Sequence, residues 1–291
     1  MDGPAGVRWA QRRLGELVRS RVAGDTAAER AVDIWGKPGE RWFSRADPIW
    51  RVHADAAMFP GGVAALLLQS LHPAAMAGVA GHSGYRGDPW GRLQRTSDYI
   101  AVTTYGTIPD ARATIARVRE VHGRVRGKDH RGRPYRASDP HLLAWVHAAE
   151  IWSFLAAYRA YGTPPLSPAD ADTYVRQAAV PAAELGVPEP PTDVAALEAT
   201  IERYRAELEA SPAALDAADF LLRTPPLTGV ARAGYSMITA GGLSVLPGWA
   251  LASLGLRPPR GARAVGGVGV RVVRWALAGV DDRRSDDPAA S

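Results

Sequence analysis

The chain has no cysteine at all. That excludes disulfides, cysteine-based zinc or iron–sulfur sites, thiolate-ligated haem and cysteine nucleophiles. Histidine, carboxylate and hydroxyl groups must carry any chemistry. Lysine is almost missing too: Lys37 and Lys128 are the only two among 35 basic residues. Arginine therefore supplies the basic character, and its planar fork suits carboxylates and phosphates. The arginines are spread along the chain, with no run of the kind a nucleic-acid arm shows, so no nucleic-acid partner is expected. Long unbroken apolar runs are also lacking. The most apolar window, Ala233–Leu256, is interrupted by Gly234, Gly241, Gly242, Pro247 and Gly248. It reads as a broken buried segment, since a membrane span needs about 20 continuous apolar residues. The start, MDGPAGVRWAQRRL, has charges but no apolar stretch behind them. No signal peptide is visible, and a cytoplasmic protein is expected, with peripheral membrane contact left open.

What is present fits a folded globule. The 291 residues are 46% apolar and 22% charged, with a net charge of +5. This length and composition support one or two domains with a sizeable core. Alternating Val/Ile/Thr runs are almost absent, while apolar residues recur at three and four positions. The expectation is an all-α protein, a single helical domain over residues 1–280 with a disordered polar tail at 281–291.

Helices are expected over Arg8–Val22 and Thr26–Ile34, and in Val63–Gly78 behind Pro60-Gly61-Gly62. Trp35, Trp42, Phe43 and Trp50 are expected to gather around a loop over the core. Asp88 reads as an N-cap, with Pro89 at the first helical position. That helix runs to about Tyr105 and stops at Gly106. Pro109 starts the next, which runs to about Arg126. Lys128–Gly132 is a polar turn, and Ser138 or Asp139 before Pro140 opens a long helix to Tyr161. Further helices are expected over Ala169–Leu185, Val194–Ala210 behind Asp193, and Val268–Leu277.

Several side chains could carry chemistry. Ala111, Ile115, Val118, His122 and Val125 fall on one helical stripe, which places His122 on an apolar face. A histidine there is either an ordinary hydrogen-bonded core residue or a neutral imidazole aimed into an apolar cavity, as a metal ligand would be. Arg119 and Arg126 flank it and either reach carboxylates of a bound group or lie in solvent. Arg92 and Thr96 are four apart on another helix and share a face, as do Arg95 and Tyr99. A surface ion pair from Arg92 to Asp88 is the plainer alternative. His147, in a stripe with Leu143, Ile151, Phe154 and Tyr158, is the second candidate ligand. His147 and Glu150 reverse the Glu-x-x-His order of di-iron sites and occur once, which argues against one. His72 precedes Pro73 at an expected kink, where it lines a pocket or caps a helix end. His53 beside Asp55 reads as structural. No Gly-x-Ser-x-Gly elbow exists and strands are missing, which leaves a metal-free helical hydrolase with a Ser-His-Asp triad as a weaker third option. Gly266-Gly267-Val268-Gly269 is glycine-rich but follows no strand, so a phosphate-cradle reading of it is weak.

Together these motifs resemble a known family. They are Leu67-Leu68-Gln69-Ser70-Leu71-His72-Pro73, the His82-Ser83-x-Tyr85 loop, Arg92-Leu93-x-x-Thr96, Tyr105-Gly106-Thr107, Val118-x-x-Val121-His122-x-x-Val125-x-Gly127, and Tyr135-x-x-x-Asp139-Pro140 leading to Trp145-Val146-His147. Their order resembles the haem-dependent oxygenases that include rubber oxygenase and the MpaB-type enzymes, over roughly residues 40 to 260. The resemblance implies a globin-like helical core with covering helices and a b-type haem (heme b, with its iron). By position it makes His122 the iron ligand. Arg92 and Thr96 match the family's pair close to the haem, and Arg119 and Arg126 would face its carboxylates. Arg95 stands where the rubber-cleaving members carry a distal lysine. No glutamate lies between Phe59 and Arg92, so their distal acid has no counterpart here. The resemblance thus implies a haem-dependent oxygenase or oxidase, with Arg92, Arg95 and Thr96 as catalytic candidates. Its substrates would be dioxygen and an apolar or aromatic small molecule. The alternative is a non-catalytic helical protein that binds haem or lipid.

Overall fold

A computed structural model describes residues 5–24, 26–82 and 85–285. Fourteen α-helices carry most of that chain, with one short hairpin between the seventh and eighth. The all-α, single-domain expectation holds.

Local chemistry sets many of the helix starts. Asp88 accepts a hydrogen bond from the Gly91 amide at 2.9 Å, and Pro89 takes the first position of α6 (Pro89–Tyr105). Thr107 caps α7 (Ile108–Arg124) through the Asp110 amide. Asp139 and Pro140 open α8 (Pro140–Tyr161) in the same way. Ser167 and Pro168 open α9 (Pro168–Leu185), Asp193 caps α10 (Val194–Tyr204), and Ser211 caps α11 (Pro212–Leu222). Each cap satisfies an otherwise orphaned amide, and proline there forfeits only an N–H that had no helical partner.

The centre is α4 (Met58–Ser70) packed along α8. Leu67, Leu68, Trp145, Ala148 and Ala149 are fully or almost fully buried. On one side lie α12 (Gly229–Val245), α14 (Ala262–Ser285) and α1 (Ala5–Ala23), with α12 against α4 and α1 against α14. On the other side α3 (Pro48–Ala54) packs on α9, and α6 pairs with α7, which also leans on α9. The short α2 (Ala27–Ala31) continues into a π-turn at Val32–Gly36. There Trp35 and Trp50 flank the Tyr105 ring at 5.5 and 4.8 Å. The expected tryptophan-lined loop is present, and its organiser is Arg41, which donates to the carbonyls of Lys37, Gly39 and Tyr105 at 2.7, 3.1 and 3.0 Å.

Four expectations need correcting. The hydrophobic helix behind Pro60 is two helices: α4 ends at Ser70, and α5 (Pro73–His82) departs at 107°. Pro73 lacks an amide and disfavours helical backbone at His72, so the chain turns there. Among the described residues no single helix is long and apolar enough to cross a membrane. Next, α7 ends at Arg124 rather than near Arg126, because Arg126–Lys128 (β1) pairs antiparallel with Pro134–Arg136 (β2), Gly127 facing Tyr135. A Cβ at Gly127 would stand 2.9 Å from the Tyr135 hydroxyl, so only glycine fits beneath that ring. The helix behind Asp193 gives way at Arg205 to a 3₁₀ turn. The Gly266–Gly269 run, a weak phosphate-cradle candidate from the start, lies inside α14, against α12. There a Cβ on Gly266 would collide with the Gly241 backbone. These glycines serve a helix crossing, not a phosphate. The apolar window breaks at Leu246-Pro247, between α12 and α13 (Gly248–Ser253). α14 continues to Ser285, past the point where a tail was expected to begin, and residues 286–291 lie outside the described residues.

Candidate functional site

α6 and α7 are joined by a tight turn at Gly106-Thr107 and pack together, so they run antiparallel. Arg92, near the start of α6, and His122, in the last turn of α7, therefore sit at the same end of the pair. The hairpin then leads the chain directly into α8, which carries His147 and Glu150.

His122 is half-buried, and its Nδ1 is buried without a hydrogen-bond partner. The stripe it belongs to is covered at Ala111 and Ile115 and opens progressively toward Val118 and His122. Burial lowers its pKa, so the ring is neutral near pH 7. A buried nitrogen without a partner is uncommon and calls for an explanation. A neutral ring with a nitrogen not engaged in a hydrogen bond is also what an iron-binding histidine requires. The residue fits a haem on those two grounds.

His147 shares both properties. It is buried on the stripe of α8 that carries Leu143, Ile151 and Phe154, its Nε2 has no partner, and burial pushes its pKa down to about 4. Glu150 lies one turn further along α8. Burial raises its carboxyl pKa to about 7, and its charge acts on the hydroxyls of Tyr99 on α6 and Tyr174 on α9. Glu150 and Tyr99 are desolvated yet keep some accessible surface. No local sequence pattern marks Glu150 as an acid, because its burial comes from elements distant in the chain.

The other candidates separate. Arg92 is half-buried, and burial followed by the nearby Arg95 charge lowers its pKa. Arg95 is exposed and pairs with Asp88 at 3.2 Å. Thr96 is exposed, and its hydroxyl donates to the Arg92 carbonyl at 3.1 Å. Arg119 and Arg126 lie exposed on and just beyond α7. His82 is exposed, with Nε2 3.2 Å from the Arg126 carbonyl. Ser83 lies outside the described residues. His53 is structural, held by Thr104 at 2.8 Å and Tyr174 at 3.3 Å rather than by Asp55.

Residues 50–276 match the family described as the catalytic domain of ER-bound oxygenase mpaB/B'/rubber oxygenase. The match spans α3 to α14 and includes every candidate named above. No curated protein and no solved structure matches the chain.

Proposed function

This chain belongs to the MpaB/rubber oxygenase catalytic-domain family, and from that premise we propose that it is a haem b-dependent oxygenase acting with dioxygen on an apolar or aromatic small molecule. The observation that carries the haem assignment is the neutral His122 ring with its buried, unpartnered Nδ1. In this reading His122 holds the iron. Arg92 lends positive charge and hydrogen-bond donors near the bound group, and the exposed Arg119 and Arg126 reach toward its carboxylates. A bound haem would supply the redox-active iron chemistry that activates dioxygen.

The remaining roles belong to the chain's own side chains. Glu150, with a pKa near 7, holds or releases a proton at its carboxyl under ordinary conditions. Tyr99 stays protonated, since burial and then the Glu150 charge raise its pKa, so its hydroxyl remains a donor. The half-buried apolar residues Leu93, Ile100 and Val118 restrict water on the facing helices. Such surroundings favour an apolar substrate over a charged one.

The test is the absorption spectrum of protein expressed with haem supply. A Soret band that is lost in His122→Ala and kept in His147→Ala supports the assignment. Loss in His147→Ala alone moves the ligand to α8, and no band in the wild type removes the haem reading.

A second reading is a non-catalytic haem or lipid carrier. It is favoured by one observation: Arg95 and Thr96, two of the three expected catalytic residues, face solvent. Reductant-dependent dioxygen consumption with apolar candidates separates the two, since a carrier forms no product.

A further inference from the structure

The bend between α4 and α5 creates a second site, remote in sequence from His122. Pro73 forces the turn, and the turn leaves His72 at its corner, 8% exposed, with neither ring nitrogen hydrogen-bonded. Asp139 and Pro140 start α8 so that His141 becomes its second residue. The 3₁₀ turn after α10 ends in Glu207. Two residues later the Glu209 amide donates to the Leu71 carbonyl at 2.8 Å, which fastens this segment to the corner.

Three ligand-type side chains converge there. His141 Nε2 lies 2.8 Å and His72 Nε2 3.9 Å from the same Glu207 oxygen. One atom from each residue lies within 4.8 Å of the other two. Ligands at ~2.0–2.2 Å from a tetrahedral zinc ion stand about 3.3–3.6 Å apart. His141 and Glu207 are exposed enough to close the remaining gap. Tyr204 supplies the outer support. Its hydroxyl donates to the His141 carbonyl at 2.7 Å and leaves its oxygen 3.2 Å from His141 Nδ1. An Nδ1–H donated to that oxygen fixes the tautomer whose Nε2 lone pair points at Glu207, the usual arrangement behind a metal-bound histidine. The nearby Arg133 charge is countered by Asp129 at 2.7 Å and Glu209 at 3.6 Å.

A simple His141–Glu207 ion pair accounts for two of these residues. It leaves the buried His72 ring unexplained, whereas a shared cation uses it. We propose that His72, His141 and Glu207 form a binding site for a divalent transition-metal ion of the zinc class, with a fourth position open to water. The nitrogen-rich, oxygen-containing donor set suits borderline ions over calcium or magnesium. The ion ties the α4–α5 corner, the start of α8 and the turn after α10 together.

Zinc chloride titrated calorimetrically into chelator-treated full-length protein tests this. One equivalent per chain is expected, with a rise in Tm on binding. His141→Ala and Glu207→Gln, both at exposed positions, should each weaken binding ~100-fold or more, and Tyr204→Phe ~10–100-fold. Cobalt(II) substituted for zinc should give tetrahedral d–d bands that Glu207→Gln abolishes. His122→Ala should keep the zinc site, so a failed haem assignment leaves this test unaffected. Absence of stoichiometric zinc overturns the proposal. So does zinc affinity unchanged in both His141→Ala and Glu207→Gln, or lost in His122→Ala.

Discussion

Arg274, on the last helix, grips Asp55 through both carboxylate oxygens, at 2.8 and 2.9 Å from one guanidinium nitrogen. The same nitrogen donates to the Tyr161 carbonyl at 3.0 Å. Asp55 also accepts from the Ala57 amide at 2.7 Å, at the corner between α3 and α4. Its side chain is only 8% exposed. One arginine thus ties α14 to the end of α8 and to the start of the core. Arg274→Met leaves a buried carboxylate unpaired, and a loss of about 3 kcal/mol is expected. Restoring shape without charge, as in Asp55→Leu with Arg274→Met, should recover part of it. Urea unfolding of the three proteins is the measurement; equal losses in single and double variants contradict the pairing.

Glu150 should make the fold less stable as pH rises. Its folded pKa is about 7 against an ordinary 4.5. Between those values the folded chain keeps a proton that the unfolded chain releases, so stability falls as pH climbs through that window. The total is at most about 3 kcal/mol, at about 1.4 kcal/mol per unit. Glu150→Gln removes this slope, and denaturation midpoints at pH 5 and pH 7.5 will show whether it does.

Buried histidines act in the opposite direction. His53 has its pKa pushed to about 3 and His147 to about 4, both by burial. Below pH 6.5 the unfolded chain binds protons that these rings refuse, so stability drops as pH falls from 6.5 toward 4. With two histidines against one glutamate, Tm should peak near pH 6.5. His53→Gln should flatten the acid side of that curve; an unchanged acid limb would show that other groups set it.

The α12–α14 crossing separates two kinds of glycine. Gly266 meets the Gly241 backbone, so Gly266→Ala should cost about 1–3 kcal/mol through overpacking. Gly234, also in α12, has nothing within 4 Å of its would-be Cβ, and Gly234→Ala should stabilise by ~0.5–1 kcal/mol. Thermal melts of the pair give opposite signs if the crossing is as described.

These cases also show what a sequence reveals. The starts of α6 and α8 were legible because a capping side chain and a proline act within three residues. The His72–Pro73 break was visible as a kink, but its 107° angle depends on what α5 packs against. His122 and His147 both stood out by periodicity, and both keep an unpartnered buried nitrogen. Glu150 was seen only as a reversed metal spacing, since its high pKa arises from burial beneath elements distant in sequence. The Asp55–Arg274 clamp joins residues 219 apart, and no local pattern announces it. The glycine run near 266 looked like a loop motif because its partner at Gly241 is invisible in one dimension.

Gln11 on α1 donates to the Trp275 carbonyl at 2.7 Å across 264 residues, and Gly15 nestles against Ala276. A ribosome adds roughly 5–20 residues per second. The surface on which α1 docks therefore emerges about 10–50 s after α1 itself, by that rate. α1 can meet α6 early, but its contact with α14 forms only once that last stretch has been made. Stalling synthesis before Ala262 would leave α1 held by α6 without its α14 face, a state that limited proteolysis of arrested chains would detect.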